Sequence, residues 1–168
     1  MSEASRPADQ ADVARLAELA RMAIEELAAQ RGGAVWRAGE ARAEPVEDGL
    51  AAAVADPASL VVAGTVDGVI LGYAVVRLEV LGDGSRLGVV DDIFVEDGAR
   101  GIGLGEAMMD DLMGWSVARG CFGMDAMALP GARLTKNFFE ESGFTARKLV
   151  MHHSLAAPPD SGPSPAPA

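Results

Sequence analysis

The segment that most constrains this chain is a β-rich run, Leu87 to Val95, that leads through Arg100-Gly101-Ile102-Gly103-Leu104-Gly105 straight into a helical pattern. Leu104, Met108, Leu112 and Trp115 recur at helical spacing and mark one face of a helix that runs to about Arg119, before Gly120. The first N–H groups of such a helix have no partner inside it, and its dipole adds positive potential there. Glycines let the backbone come close to a phosphate, and Arg100 adds a planar, charged donor. Strand, glycine turn and helix together therefore predict an anion site.

Two common phosphate motifs fail here. A P-loop closes with Gly-Lys-Ser/Thr, whereas Gly105 is followed by Glu106 and Ala107, so both the lysine and the magnesium-binding hydroxyl are missing. A dinucleotide fingerprint needs Gly-x-Gly-x-x-Gly/Ala. Read from Gly101 its sixth position is Glu106, and read from Gly103 it is Met108, although Asp125 lies at a tolerable distance for a ribose acid.

The rest of the chain supplies the frame. Met1 to Gln10 is polar and expected to fray, with Arg6-Pro7-Ala8 able to give a short first strand. Asp12 reads as an N-cap for an amphipathic helix through Val13, Leu16, Ala20, Ile24 and Leu27, stopped by Gly32-Gly33. Ala34 to Ala43 is ambiguous, and Pro45, Glu47 and Asp48 open a second helix that ends before Pro57. Leu60 to Val66 and Val69 to Val80 are strands joined by Asp67-Gly68, a tight hairpin turn, and Gly82-Asp83-Gly84-Ser85 makes the next turn. After the glycine turn and its helix come a strand from Phe122 to Leu129, a helix from about Ala132 to Ser142, and a last strand from Phe144 to Leu155. The order implies an α/β (mixed α+β) fold with parallel pairing in the β-α-β portion. Residues 1–157 are expected to form one domain, followed by a disordered Pro/Ala-rich tail over residues 158–168.

Composition narrows the function classes. The 49% hydrophobic and 23% charged content is that of a globular domain. A net charge of -11 argues against nucleic-acid binding, because phosphates would be repelled. No apolar run is long enough for a membrane span, and the first thirty residues lack a signal-peptide h-region, which predicts a cytoplasmic protein. The single cysteine, Cys121, excludes an intrachain disulfide framework and leaves too few thiolates for a structural zinc site, so no metal is expected.

The spacing Arg-x-x-Gly-x-Gly from Arg100 resembles the coenzyme A signature of the GNAT superfamily of N-acetyltransferases, (Gln/Arg)-x-x-Gly-x-(Gly/Ala). Val90-Asp91-Asp92-Ile93-Phe94-Val95 is similar to that family's fourth strand, and Asn137-Phe138-Phe139-Glu140-Glu141-Ser142-Gly143-Phe144 to its late Phe-Tyr-Glu-x-x-Gly-Phe segment. With Arg6-Pro7-Ala8 and the first two helices, the resemblance covers roughly Arg6 to Leu155. It implies a central mixed sheet of about six to seven strands, splayed between the fourth and fifth and flanked by about four helices.

The resemblance also implies a chemistry: direct attack of a primary amine of a small molecule or protein on the thioester of acetyl-CoA. Ile93, Phe94 and Val95 would hold the pantetheine arm through main-chain groups. Arg100, Gly101, Ile102, Gly103, Leu104 and Gly105 would hold the pyrophosphate. The reaction needs a base, an oxyanion donor and an acid. Asp91 is the first candidate for the base and Asp92 the second, since adjacent strand residues face opposite ways unless a bulge intervenes. The oxyanion donor would be a main-chain N–H of the same strand, at Phe94. The acid is missing, because Phe139 stands where the family has a tyrosine; water, Cys121 or His152 are substitutes, and the only tyrosine, Tyr73, lies elsewhere. Ala132 likewise stands near the family's helix-start asparagine. The alternative is an acyl-CoA-binding or sensing module with weak or lost catalysis. Trp36, Arg37, Glu40 and Arg42 either line the acceptor side or are simply solvated. A homodimer is compatible with the resemblance.

Overall fold

The computed structural model describes residues 1–156; the tail expected at 158–168 lies outside the described residues. The chain divides into two compact units, the first made of Met1–Ala23 and Arg42–Met127, the second of Ile24–Ala41 with the chain from Ala128 onward.

The first unit is built on a sheet. β2 (Ser59–Val66) and β3 (Val69–Val80) pair antiparallel. They turn at Asp67-Gly68, where φ is positive at both residues, 48° and 82°, the condition for a type I′ hairpin. β4 (Arg86–Val95) follows antiparallel to β3. β1 (Glu3–Pro7) adds antiparallel to β2, so the start of the chain is a paired edge strand where fraying was expected. β5 (Gly123–Ala126) joins parallel to β4. The order is β1-β2-β3-β4-β5.

Among the described residues the sheet therefore has five strands, fewer than the six to seven expected. Phe144 to Leu155 forms no strand. Leu149, Val150 and Met151 are consecutive, so a strand there would turn apolar side chains to both faces, and all three are exposed. The run from Phe122 to Leu129 contracts to four residues because its parallel partner leaves it after Val90.

Helix α4 (Leu104–Ala118) lies against one face of the sheet, burying Leu104, Met108, Met109, Leu112 and Ser116. Glycines let it approach: a Cβ at Gly64 of β2 would sit 2.8 Å from the Met108 sulfur, and one at Gly88 of β4 2.6 Å from the Ser116 hydroxyl. Helix α1 (Val13–Ala28) begins after a 3-10 turn whose cap is Asp9, not the expected Asp12. Asp12 instead closes a reciprocal capping box with Asp9 and pairs with Arg6 at 2.7 Å. Helix α3 (Val46–Ala55) starts after Pro45 and buries Val46 and Leu50. In the second unit the ambiguous stretch contains a short helix, α2 (Gly33–Gly39), and α5 (Arg133–Glu141) follows Ala132. Among the described residues there are thus five α-helices where about four were expected. Within that unit Phe139 is buried, its ring 5.7 Å from Phe138 and 5.4 Å from Phe144.

Candidate active site

The site grows from the point where β4 parts from β5. Parallel pairing runs from Leu87 opposite Gly123 to Val90 opposite Ala126 and stops, while β4 continues to Val95. From Asp91 onward β4 keeps β3 on one side and has no paired strand on the other among the described residues. That is a fork with an open backbone edge.

Which groups face the edge follows from one bond. The Glu96 N–H donates to the Leu71 carbonyl of β3 at 2.8 Å, and main-chain groups alternate direction along an antiparallel strand. Phe94 therefore turns its N–H and C=O toward β3, and Ile93 and Val95 turn theirs to the open side. The Val95 carbonyl accepts from Arg100 Nε at 2.8 Å, as this direction requires. The main-chain donor expected at Phe94 is thus directed into the sheet, and Ile93 carries the outward N–H nearest the carboxylates.

The two carboxylates stand at the fork because of a bulge. Val75 pairs with Asp92 and Val76 with Val90, leaving Asp91 opposite no residue of β3. Such an extra residue breaks the alternation and lets two neighbours share a face. Their partners show this: Asp91 accepts from Arg77 Nε at 3.1 Å, and Asp92 from the Tyr73 hydroxyl at 2.7 Å. Tyr73 and Arg77, four apart on β3, lie on one face. It is the face away from α4, since neighbouring Gly72 is packed against Met108.

The two acids differ in environment. Asp92 is 12% exposed and clamped by Arg42, itself 19% exposed, with Nη2 at 2.6 Å and Nε at 2.8 Å. Asp91 is 33% exposed with one ion-pair partner, Arg77, which is half-exposed. Burial pushes the Asp91 carboxyl above its ordinary value; Arg77 opposes this and the charge of Asp92 adds to it. Burial also pushes the Tyr73 hydroxyl well up, and the Asp92 charge reinforces the shift, so the phenol stays a proton donor to Asp92 at neutral pH. Arg42 was one of four residues expected to line the site or be solvated. No periodicity or motif marks either Arg42 or Tyr73, because their role arises from contacts with Asp92, 50 and 19 residues away in sequence, and from a bulge.

Beyond β4, a 3-10 turn at Asp97–Ala99 leads into the glycine segment. Gly101 and Gly103 have φ of 78° and 93°, a region that suits glycine, and Gly103 caps α4 without any side-chain cap. The first-turn amides of a helix have no acceptor within it. A Cβ at Gly101 would meet nothing within 4 Å, so the backbone there is open to approach. Arg100 folds back over Phe94, 5.4 Å from the ring centroid. Its guanidinium lies at the junction of the open edge and the turn. Among the described residues no three His, Cys, Asp or Glu side chains are grouped as a metal site, and no helix is long and apolar enough to cross a membrane.

A family described as acetyltransferase (GNAT) family matches residues 18–144. No curated protein matches the chain in sequence. Among solved structures, a tetramutant of the BH1408 protein from Bacillus halodurans superposes with a TM-score of 0.77 at 21% identity, covering 90% of this chain and 99% of that one. AAC(6')-Iy in complex with the bisubstrate analog CoA-S-monomethyl-acetylneamine gives 0.71 at 15% identity, covering 94% and 100%. A predicted acetyltransferase with acetyl-CoA from Clostridium acetobutylicum gives 0.69 at 15%, covering 92% and 97%. At these identities the likeness is one of fold.

Proposed function

Because the chain belongs to the GNAT acetyltransferase family, we propose that it transfers an acetyl group from acetyl-CoA to a primary amine of a small molecule or protein, with Asp91 as the general base. The observation that carries this reading is the bulge at the fork. It puts a partly exposed carboxylate, raised by burial, beside an open strand edge that leads to an uncapped helix start. A carboxylate raised above its ordinary value is a better proton acceptor than a free one.

In this reading the Ile93 carbonyl and the Val95 N–H bond the pantetheine arm, while Arg100 and the amides of the turn from Gly101 to Gly105 bind the pyrophosphate. The amine lone pair forms the new C–N bond, the amine proton passes to Asp91, and the C–S bond breaks with its electron pair left on sulfur. The Ile93 N–H is the donor for the oxyanion that forms between these events. Phe139 has no proton to give, so the thiolate takes its proton from water. Asp92 is occupied by Arg42 and Tyr73 and is not the base.

One observation favours a second reading, an acyl-CoA-binding or sensing module: a buried phenylalanine at position 139 supplies no acid. Free-thiol release measured over a panel of amines separates the two. Turnover that is lost in Asp91→Ala supports the transferase, and tight coenzyme binding without turnover on any amine supports the sensor.

A further inference from the structure

We propose that Arg42 and Tyr73, acting through Asp92, are positioning residues for Asp91: they hold the β4 bulge that places the Asp91 carboxylate on the face away from α4. The proposal rests on Asp91 being the base.

A regular strand would send Asp91 and Asp92 to opposite faces, and two adjacent carboxylates on one face repel. Something must favour the irregular register. Asp92 has one hydroxyl donor at 2.7 Å and two guanidinium donors within 2.8 Å, all charge-assisted. Restoring the two-residue alternation by turning Asp92 over would strand the Arg42 charge and the buried Tyr73 hydroxyl without partners, which is far costlier than the bond lost at a bulge. The cluster therefore fixes the phase of β4 beyond the bulge, including the outward direction of Ile93 and Val95. It also ties the linker between α2 and α3 to the strand, since Arg42 lies in that linker.

The same cluster sets the charge beside the base. Asp91 is faced by Arg77 from β3, whose other acidic neighbour is Glu79 at 3.9 Å, by Asp92 on its own strand, and by Arg42 from the linker. Arg42 and Asp92 act on Asp91 in opposite senses, so removing them one at a time moves its titration in opposite directions. A role confined to packing gives no such pairing of signs.

The test is a carboxyl carbon NMR titration of the ligand-free protein, with Asp91→Asn to assign the signal. Asp92→Asn is expected to lower the Asp91 midpoint, and Arg42→Gln to raise it. Tyr73→Phe, which removes a single hydrogen bond and is the mildest change, is expected to raise it as well, since the Asp92 charge loses a donor. Unchanged midpoints in the variants that fold, or shifts of one sign in all three, overturn the proposal. Because no acceptor is needed, the outcome is separable from the function. Opposite shifts with no thiol release on any amine leave the cluster intact and sink the transferase, and turnover without these shifts does the reverse.

Discussion

At the scale of single residues, neighbouring Asp91 and Asp92 sit in different surroundings. Asp92 has its charge matched by Arg42 and is fixed in place, while Asp91 keeps a third of its surface in water and one ion-pair partner. Asp91 binds its proton more tightly in the fold than in the unfolded chain, so its charge acts against folding. That cost is absent below the ordinary value of 3.8, grows as pH rises toward the raised folded value, and is fully present above it. Asp91→Asn is therefore expected to gain stability relative to the natural protein as pH rises through that window, while turnover falls on the order of 10²–10⁴-fold. Urea unfolding at pH 4 and pH 7 checks the first part; a variant that loses ground as pH rises contradicts it. In sequence the Asp pair was visible and Asp91 was the first choice for the base, but what makes the two differ was not legible, because it depends on a bulge and on residues as distant as Arg42.

At the scale of elements, the strand, turn and helix were readable because each rests on a local rule: β-branched alternation, glycine at positive φ, and helical spacing of apolar residues. Gly103→Ala forces a Cβ into φ of 93° at the start of α4 and is expected to cost about 1–2 kcal/mol while weakening acetyl-CoA binding; calorimetry with the folded variant measures both. Gly64→Ala is a packing test of a different kind. Its Cβ would press on Met108 and Leu104, and a loss of about 1–3 kcal/mol in urea unfolding is expected. Stability unchanged in Gly64→Ala would mean that α4 does not sit on the sheet as described. What local rules missed was tertiary in origin. The cap moved from Asp12 to Asp9 because Asp12 is engaged by Arg6, and β5 is short because β4 turns away from it. The Phe144 to Leu155 run carries β-forming residues without the alternation that a one-sided strand needs.

At the scale of the whole molecule, family and fold agree: a mixed sheet, five-stranded with one parallel pair among the described residues, in a chain matched over residues 18–144 to the GNAT acetyltransferases. Acetyl-CoA, as a ligand of the folded state, should raise the melting temperature in proportion to the logarithm of its concentration above its dissociation constant. No shift at millimolar acetyl-CoA contradicts both the transferase and the sensor. The acceptor is a different matter, because the surface that would select it is not written in any motif of this sequence.

If the open edge of β4 and the turn after it form one continuous site for the coenzyme, the direction of each main-chain group, fixed by pairing to β3, decides which amides acetyl-CoA covers. Amide hydrogen exchange with and without acetyl-CoA tests it residue by residue. New protection is expected at Ile93 and Val95 and from Gly103 to Glu106, with no change at Phe94, whose N–H is already directed to β3. Protection that appears at Phe94 and is absent from Ile93 and Val95, or is absent from the turn, would contradict the account.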